Sequence, residues 1–274
     1  MNVVPLPRLR IFKSVLRGIL AEDFSRLLAA CPVLETLKLR KDIESRRRFT
    51  HNIDADSVDF QRNVGVMLCS VSSTLTTLSL KEIAIDAACI KDARLPNLNT
   101  LVLDSCGEGA VGAAVLLAQS FASLQHLRIG NSTGCEELSD LPPSQLLSLH
   151  IVRCEGIREV LQPMLKNGVF EKLRCARFDG VHSSASFTGV FDLGGVVMPE
   201  LRVLQLPYND AFMSHSKDSH FDESFSRLMA PSLRYLHFPQ AQTLLFIESV
   251  RRQLALNPDV PDDVVLCTTY KMTI

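Results

Sequence analysis

Leu95-Pro-Asn-Leu98-Asn-Thr-Leu101-Val-Leu103-Asp-Ser-Cys106 sets three leucines, Leu98, Leu101 and Leu103, at intervals of three and then two. In an extended segment side chains alternate between faces. Leu101 and Leu103 therefore share one side, and Thr100, Val102 and Asp104 share the other. The same spacing recurs at Leu34/Leu37/Leu39, Leu75/Leu78/Leu80, Leu124/Leu127/Ile129, Leu146/Leu149/Ile151, Leu173/Ala176/Phe178, Leu201/Leu204/Leu206 and Leu233/Leu236/Phe238. With the opening copy this makes eight, and leucine leads every one.

From Leu75 onward, successive copies start 23, 26, 22, 27, 28 and 32 residues apart, while the first gap, Leu34 to Leu75, is 41 and implies an insertion or a degenerate extra copy. That spacing is the period of leucine-rich repeats. Pro32, Pro96, Pro199 and Pro231 each stand two places before a leading leucine. Proline there ends a preceding helix and biases the chain toward an extended approach to the strand. A single coil has nothing to bury its leucines against, so stability must come from stacking coil on coil. Helix-like runs at 110–121, 157–165 and 221–229 fall between the strands.

The expected fold is therefore α/β: a leucine-rich-repeat solenoid, a curved horseshoe with a concave parallel β-sheet and helices or irregular turns on the convex side. It fills residues 1–274 as one domain, with about eight repeats between 31 and 240. Residues 1–30, with Leu9, Phe12 and the run Phe24 to Leu28, read as an N-terminal cap or degenerate repeat. Residues 241–274 read as a C-terminal cap, with an amphipathic helix over Leu244 to Leu256 and a last strand at Val264 to Cys267.

The formal net charge is −1, from 29 basic and 30 acidic residues, so the whole molecule has no electrostatic leaning toward nucleic acid or an anionic membrane. The N-terminal residues contain no apolar run of signal-peptide length, and the most apolar window, 110–118, is too short to span a bilayer. The eight cysteines never form C-x-x-C and read as reduced thiols. These features point to a cytoplasmic or nuclear protein. No P-loop or His-x-x-x-His pair is present. No enzyme, cofactor or metal site is expected.

Two copies run on to cysteine three places after the last strand residue, Leu101-x-Leu103-x-x-Cys106 and Leu149-x-Ile151-x-x-Cys154, and the first copy opens Cys31-Pro-Val-Leu34. Over Cys31 to Phe238 the chain resembles the repeat region of F-box/LRR proteins. That resemblance implies a substrate receptor of a cullin-RING ubiquitin ligase, in which an F-box segment holds the ligase adaptor and the repeats grip the substrate. No F-box segment is read ahead of Cys31, and six copies lack the cysteine.

On this reading the outward strand residues form lanes across the concave face. The middle lane holds Lys38, Ser79, Val102, Arg128, then His150, Arg177, Gln205 and His237. Flanking lanes add Arg40, Lys81, His126 and Tyr235, against Asp104 and Asp179. Such a basic stripe suits an acidic or phosphorylated protein partner, because guanidinium forks pair with carboxylate and phosphate. The plainer alternative is that solvent-facing strand positions are simply polar.

Other motifs carry two readings each. Gly107-Glu-Gly109-Ala-Val-Gly112 matches a dinucleotide fingerprint, the basis of an alternative as a nucleotide-binding enzyme. The residues about 20 positions on, Ile129-Gly-Asn-Ser132, offer no acid for a ribose, which favours a repeat turn. His215 to Glu223 gathers possible metal ligands but sits in a long gap and reads as a polar loop. Arg46-Arg47-Arg48 reads as a solvated loop or a nuclear-import or nucleic-acid patch. A nucleic-acid binder using the basic lane is the remaining, less favoured, alternative. Asn131-Ser132-Thr133 is a glycosylation sequon that a chance match explains.

Overall fold

The computed structural model describes residues 6–16, 26–41, 64, 68–69, 73–142, 145–154, 160, 163–164, 168–179, 197–206, 228–238 and 244–268. The chain forms two compact units, Met1–Leu141 and Pro142–Ile274. In the first, strands β1 (Ile11–Leu16), β2 (Thr36–Lys41), β3 (Thr77–Lys81), β4 (Thr100–Asp104) and β5 (His126–Gly130) lie side by side in chain order, every pair parallel. Parallel neighbours need a return path. Helix α1 (Ala87–Ile90) lies between β3 and β4, and α2 (Ala110–Ser120) between β4 and β5. A 3₁₀ turn, Cys135–Asp140, follows β5.

The second unit repeats the plan with β6 (Ser148–Val152), β7 (Cys175–Asp179), β8 (Val203–Gln205), β9 (Tyr235–Phe238) and β10 (Val265–Thr268), again parallel neighbours in chain order. Helix α2 matches the run expected at 110–121. Helix α3 (Leu244–Ala255) matches the one expected before Asn257-Pro258, and β10 the expected last strand. The runs expected at 157–165 and 221–229 lie mostly outside the described residues, as do Phe24 and Ser25.

Strand register brings the leucines together. Leu37, Leu78, Leu101 and Leu127 are successive partners, as are Leu39, Leu80, Leu103 and Ile129. In the second unit Leu149, Ala176, Leu204 and Leu236 line up in the same way. Every residue of the eight copies is buried, none more than 4% exposed. Each such leucine contributes about 1.5–3 kcal/mol relative to exposure. The copy with a small second residue, Ala176, carries the large Phe178 at its third, which preserves volume along the line.

The prolines do something different from the extended approach expected of them. The Leu34 N–H donates to Cys31 O, Leu98 to Leu95 O, Leu201 to Met198 O and Leu233 to Ala230 O, at 3.0–3.2 Å. Each proline is thus the second residue of a four-residue turn, where its fixed φ is already suitable. Phe121–Leu124 and Phe170–Leu173 make the same turn without proline, and Leu6-Pro7-Arg8-Leu9 makes it with one. The N-terminal segment is therefore a further coil: Phe12 pairs with Leu37 and Ser14 with Leu39.

A second device recurs where strands end. Glu82, Ser105, Asn131 and Arg153 all have left-handed backbones, with φ of 58°, 57°, 51° and 50°. Each stands two places after the last inward strand residue. The Glu82, Ser105 and Arg153 N–H groups donate to Asp104, Gly130 and Asp179 carbonyls at 2.7–2.8 Å. The bend turns the following residue inward, so Ile83, Cys106, Ser132 and Cys154 are buried. Three of these donate to main-chain carbonyls: Cys106 Sγ to Leu80 O at 3.3 Å, Ser132 Oγ to Gly130 O at 3.1 Å and Cys154 Sγ to Val152 O at 3.5 Å. At this position a small donor is itself satisfied on burial by a main-chain carbonyl at the strand end.

Leu101→Ala, which empties the middle of the first unit's ladder, should lower unfolding free energy by about 2–5 kcal/mol. Lys38→Ala, on the opposite face, should stay within about 0.5 kcal/mol. Denaturant unfolding of both variants measures the contrast.

Candidate functional site

The residues pointing away from the ladder form an uncovered strand face in each unit. In the first, Lys38, Arg40 and Arg128 are exposed, while Lys81 and His126 are half-buried. Arg40 and Lys81 have acidic partners on this face. Arg40 Nε donates to Glu82 Oε2 at 3.4 Å, and Lys81 Nζ lies 3.3 Å from Asp104 Oδ2. Asp104 also accepts from Asn131 Nδ2 at 2.6 Å and Ser105 Oγ at 3.3 Å. Burial favours the protonated acid, but the Asn131 hydrogen bond and the Lys81 charge outweigh it and hold the Asp104 carboxyl below its ordinary value. The Asn131 side-chain amide of the sequon is thereby occupied within the fold.

Sequence reasoning counted Asp104 against this lane but missed Glu82, which the left-handed bend returns to the face beside Arg40. It also missed β1. That strand adds the exposed cation Lys13 between Ile11 and Val15, which are 55% and 50% exposed. Pro7, two places before Leu9 as in four later copies, was the available signal.

In the second unit the lane is a hydrogen-bonded chain across four strands. Register places His150, Arg177, Gln205 and His237 side by side on β6, β7, β8 and β9. His150 Nε2 lies 2.7 Å from Asp179 Oδ2, and Gln205 Nε2 donates to Asp179 Oδ1. With its amide nitrogen turned to the carboxylate, Gln205 presents Oε1 to His237 Nδ1, 3.0 Å away. An oxygen there accepts, so His237 carries its proton on Nδ1. Burial pushes His237 below the ordinary histidine value; Asp179 opposes this and Arg177 adds to it. Gln205, at the centre, is only 7% exposed.

Arg177 is exposed and, among the described residues, has neither an ion pair nor a hydrogen bond. Beside this polar lane runs an apolar one, with Val203 half-buried and Tyr235 and Val265 at 49% and 50% exposure. The structure thus brings together His150, Arg177, Gln205 and His237 with Asp179, and sets Tyr235 next to them.

The glycine motif has a packing explanation at each position. Gly107 has φ +87°, a conformation costly for other residues. A methyl on Gly109 would lie 2.5 Å from Asp86 Cβ and 2.9 Å from Asp86 Cα in the preceding coil. One on Gly112 would overlap the Glu137 carboxylate from the following coil. An acid lying over the first turn of α2 is a poor companion for a pyrophosphate. Cys106 is no better placed as a nucleophile, because burial pushes its thiol up to about 11.

All eight cysteines are free thiols. Among the described residues no cluster of three His, Cys, Asp or Glu side chains could hold a metal. No helix among them is long and apolar enough to cross a membrane. The basic run Arg46–Arg48 and the segment His215–Glu223 lie outside the described residues. Compared with known proteins, the chain matches no family model and no curated sequence.

Two outcomes follow from this geometry. Because His237 has a depressed folded value, the unfolded chain takes up its proton first as pH falls. Stability should therefore decline on acidification from about 6.5 downward, through the folded value. His237→Gln should flatten that decline when unfolding is compared at neutral and mildly acid pH. In the glycine turn, Gly109→Ala should cost about 1–3 kcal/mol through overlap with Asp86. Gly112→Ala meets only the end of a flexible side chain and gains helix propensity of about 0.5–1 kcal/mol, so thermal unfolding should leave it at or above the parent.

Proposed function

We propose that the chain is a leucine-rich-repeat interaction module, curved so that the outward strand faces line its concave side, and that it binds a protein partner there. The observation that carries this reading is the uncovered cation Arg177, held on the face without a counter-ion among the described residues. Lys13, Lys38 and Arg128 add exposed positive charge in the first unit. Exposed apolar side chains stand beside them at Ile11, Val15, Tyr235 and Val265. Charge mixed with apolar surface is the composition of a docking face, and its sign suits an acidic or phosphorylated partner. The resemblance to F-box/LRR receptors would make that partner a ubiquitin-ligase substrate.

The test is affinity capture from native extract with the parent chain beside two charge reversals, Lys38→Glu/Arg128→Glu and Arg177→Glu. A partner held by this face should be depleted about tenfold by at least one of them, a loss of about 1.4 kcal/mol. Nuclease treatment should leave the capture intact. Capture unchanged by both reversals would move the interface off the strand face. Ligase adaptor and cullin subunits retained with the partner would support the receptor role.

A further inference from the structure

Asp179 and Arg177 lie two residues apart on β7, so their side chains leave the same face of one strand. An acid and a base so placed ordinarily neutralise each other. Here both carboxylate oxygens are engaged elsewhere, Oδ2 by His150 and Oδ1 by Gln205. Neighbouring strands thus occupy the acid, and the guanidinium beside it has donors that no described residue engages. We propose that Arg177 and His237 form a site for a tetrahedral oxyanion, a phosphate monoester borne by the partner, and that the anion enters together with a proton taken up at His237 Nε2. This rests on the docking reading above and names the chemistry that the second unit would recognise.

The geometry selects the anion. A guanidinium fork takes two oxygens of its ligand, which exhausts a carboxylate but leaves a phosphate with a third. His237 stands two strands from Arg177, about 10 Å at the usual strand spacing. An extended arginine side chain and a phosphoryl group cover that interval. Gln205 Oε1 fixes the histidine proton on Nδ1, so Nε2 is the atom left to meet a ligand. In the neutral ring that atom is a lone pair, which repels an anion; protonated from solvent, it becomes a second donor. The groups facing His237 are Asp179 and Arg177 from β7, Gln205 from β8, Cys267 in register on β10, Tyr235 on its own strand and, through Asp179, His150 from β6. While the site is empty, burial disfavours the second proton most, the Asp179 charge favours it and the Arg177 charge adds to the burial effect. An anion on Arg177 cancels that charge, and the proton then binds. Val203, Tyr235 and Val265 would take an apolar side chain beside the phosphorylated residue.

Sulfate is the first probe, because it remains a dianion throughout the neutral range and its own titration does not interfere. The full chain is titrated with sulfate while the His237 imidazole is followed by NMR. Sulfate should saturate, raise the His237 midpoint and bind about tenfold more tightly near pH 5.5 than near pH 7.5. Arg177→Gln should abolish the saturable response; the side chain is exposed and bonded to no described residue, so the variant keeps its fold. Gln205→Leu, by releasing the ring, should weaken the pH dependence even where some sulfate still binds. No saturable response, a response independent of pH, or one surviving Arg177→Gln would overturn the site. A phosphoserine peptide with an apolar neighbour is then compared with inorganic phosphate at one pH. Tighter peptide binding supports the partner-borne source, and equal binding overturns it. If sulfate fails while Lys38→Glu/Arg128→Glu still depletes the partner, this site falls and the docking face stands. If the partner also survives both reversals, both fall.

Discussion

Apolar side chains that no coil can bury alone set the terms for everything else in this protein. A strand such as Leu101-Val-Leu103 is stable only when its leucines meet those of the strands on either side, and parallel pairing offers a single register in which they do. A slip of one residue would turn the charged face inward and the leucines out. The outward residues are therefore aligned as strictly as the inward ones, although several of them stay exposed. The lanes are a by-product of core burial, and whatever chemistry they hold is inherited from that register.

Keeping the register requires the main-chain groups between strands to be satisfied as well. At the start of several strands one carbonyl accepts two successive N–H groups from the next: Glu35 O from Thr76 and Thr77, Thr76 O from Asn99 and Thr100, Arg174 O from Arg202 and Val203. At the other end, a left-handed residue sends the next side chain inward, and Glu82, Ser105 and Arg153 also donate their N–H across to the next strand. Four non-glycine residues accept this conformation, each at a cost of about 1–2 kcal/mol. The recurrence of the bend at equivalent positions shows that the coil geometry demands it. Cysteine at this position follows from size and hydrogen bonding, and Ser132 meets the same need.

The ladder was legible in the sequence because burial selects side chains by type, and leucine at fixed spacing is a signal of type alone. Where type relaxes, legibility goes. β1 carries Phe12 and Ser14 at its inward positions, so it reads as a cap until its turn, Leu6-Pro7-Arg8-Leu9, is aligned with the others. The lanes were legible as membership but not as interaction. That Arg40 meets Glu82 depends on a positive φ that no glycine announces. That Asp179 turns from Arg177 toward His150 and Gln205 depends on side-chain reach across three strands, and spacing along the chain does not carry that information. The glycine triplet erred in the opposite direction, since three local packing needs reproduced a motif that elsewhere signals a phosphate cradle.

The two units show how one scaffold rule yields two electrostatic outcomes. In the first, acid and base face each other across adjacent coils, Lys81 with Asp104 and Arg40 with Glu82, and exposed pairs of this kind contribute about 0–1 kcal/mol. In the second, the acid is hydrogen-bonded to a histidine and an amide, and the neighbouring arginine has no ion pair among the described residues. A carboxylate that hydrogen-bonds sideways leaves the donors of the guanidinium beside it unengaged by that acid. Gln205 makes this possible: its amide donates to Asp179 and accepts from His237, so the acid's negative charge is linked to the ring rather than to the guanidinium. Glutamate at that position would repel Asp179 and compete for Arg177, and leucine would leave Asp179 Oδ1 and His237 Nδ1 without the partner they now share. The polarity of this face therefore hangs on one buried amide, whose two ends do different work.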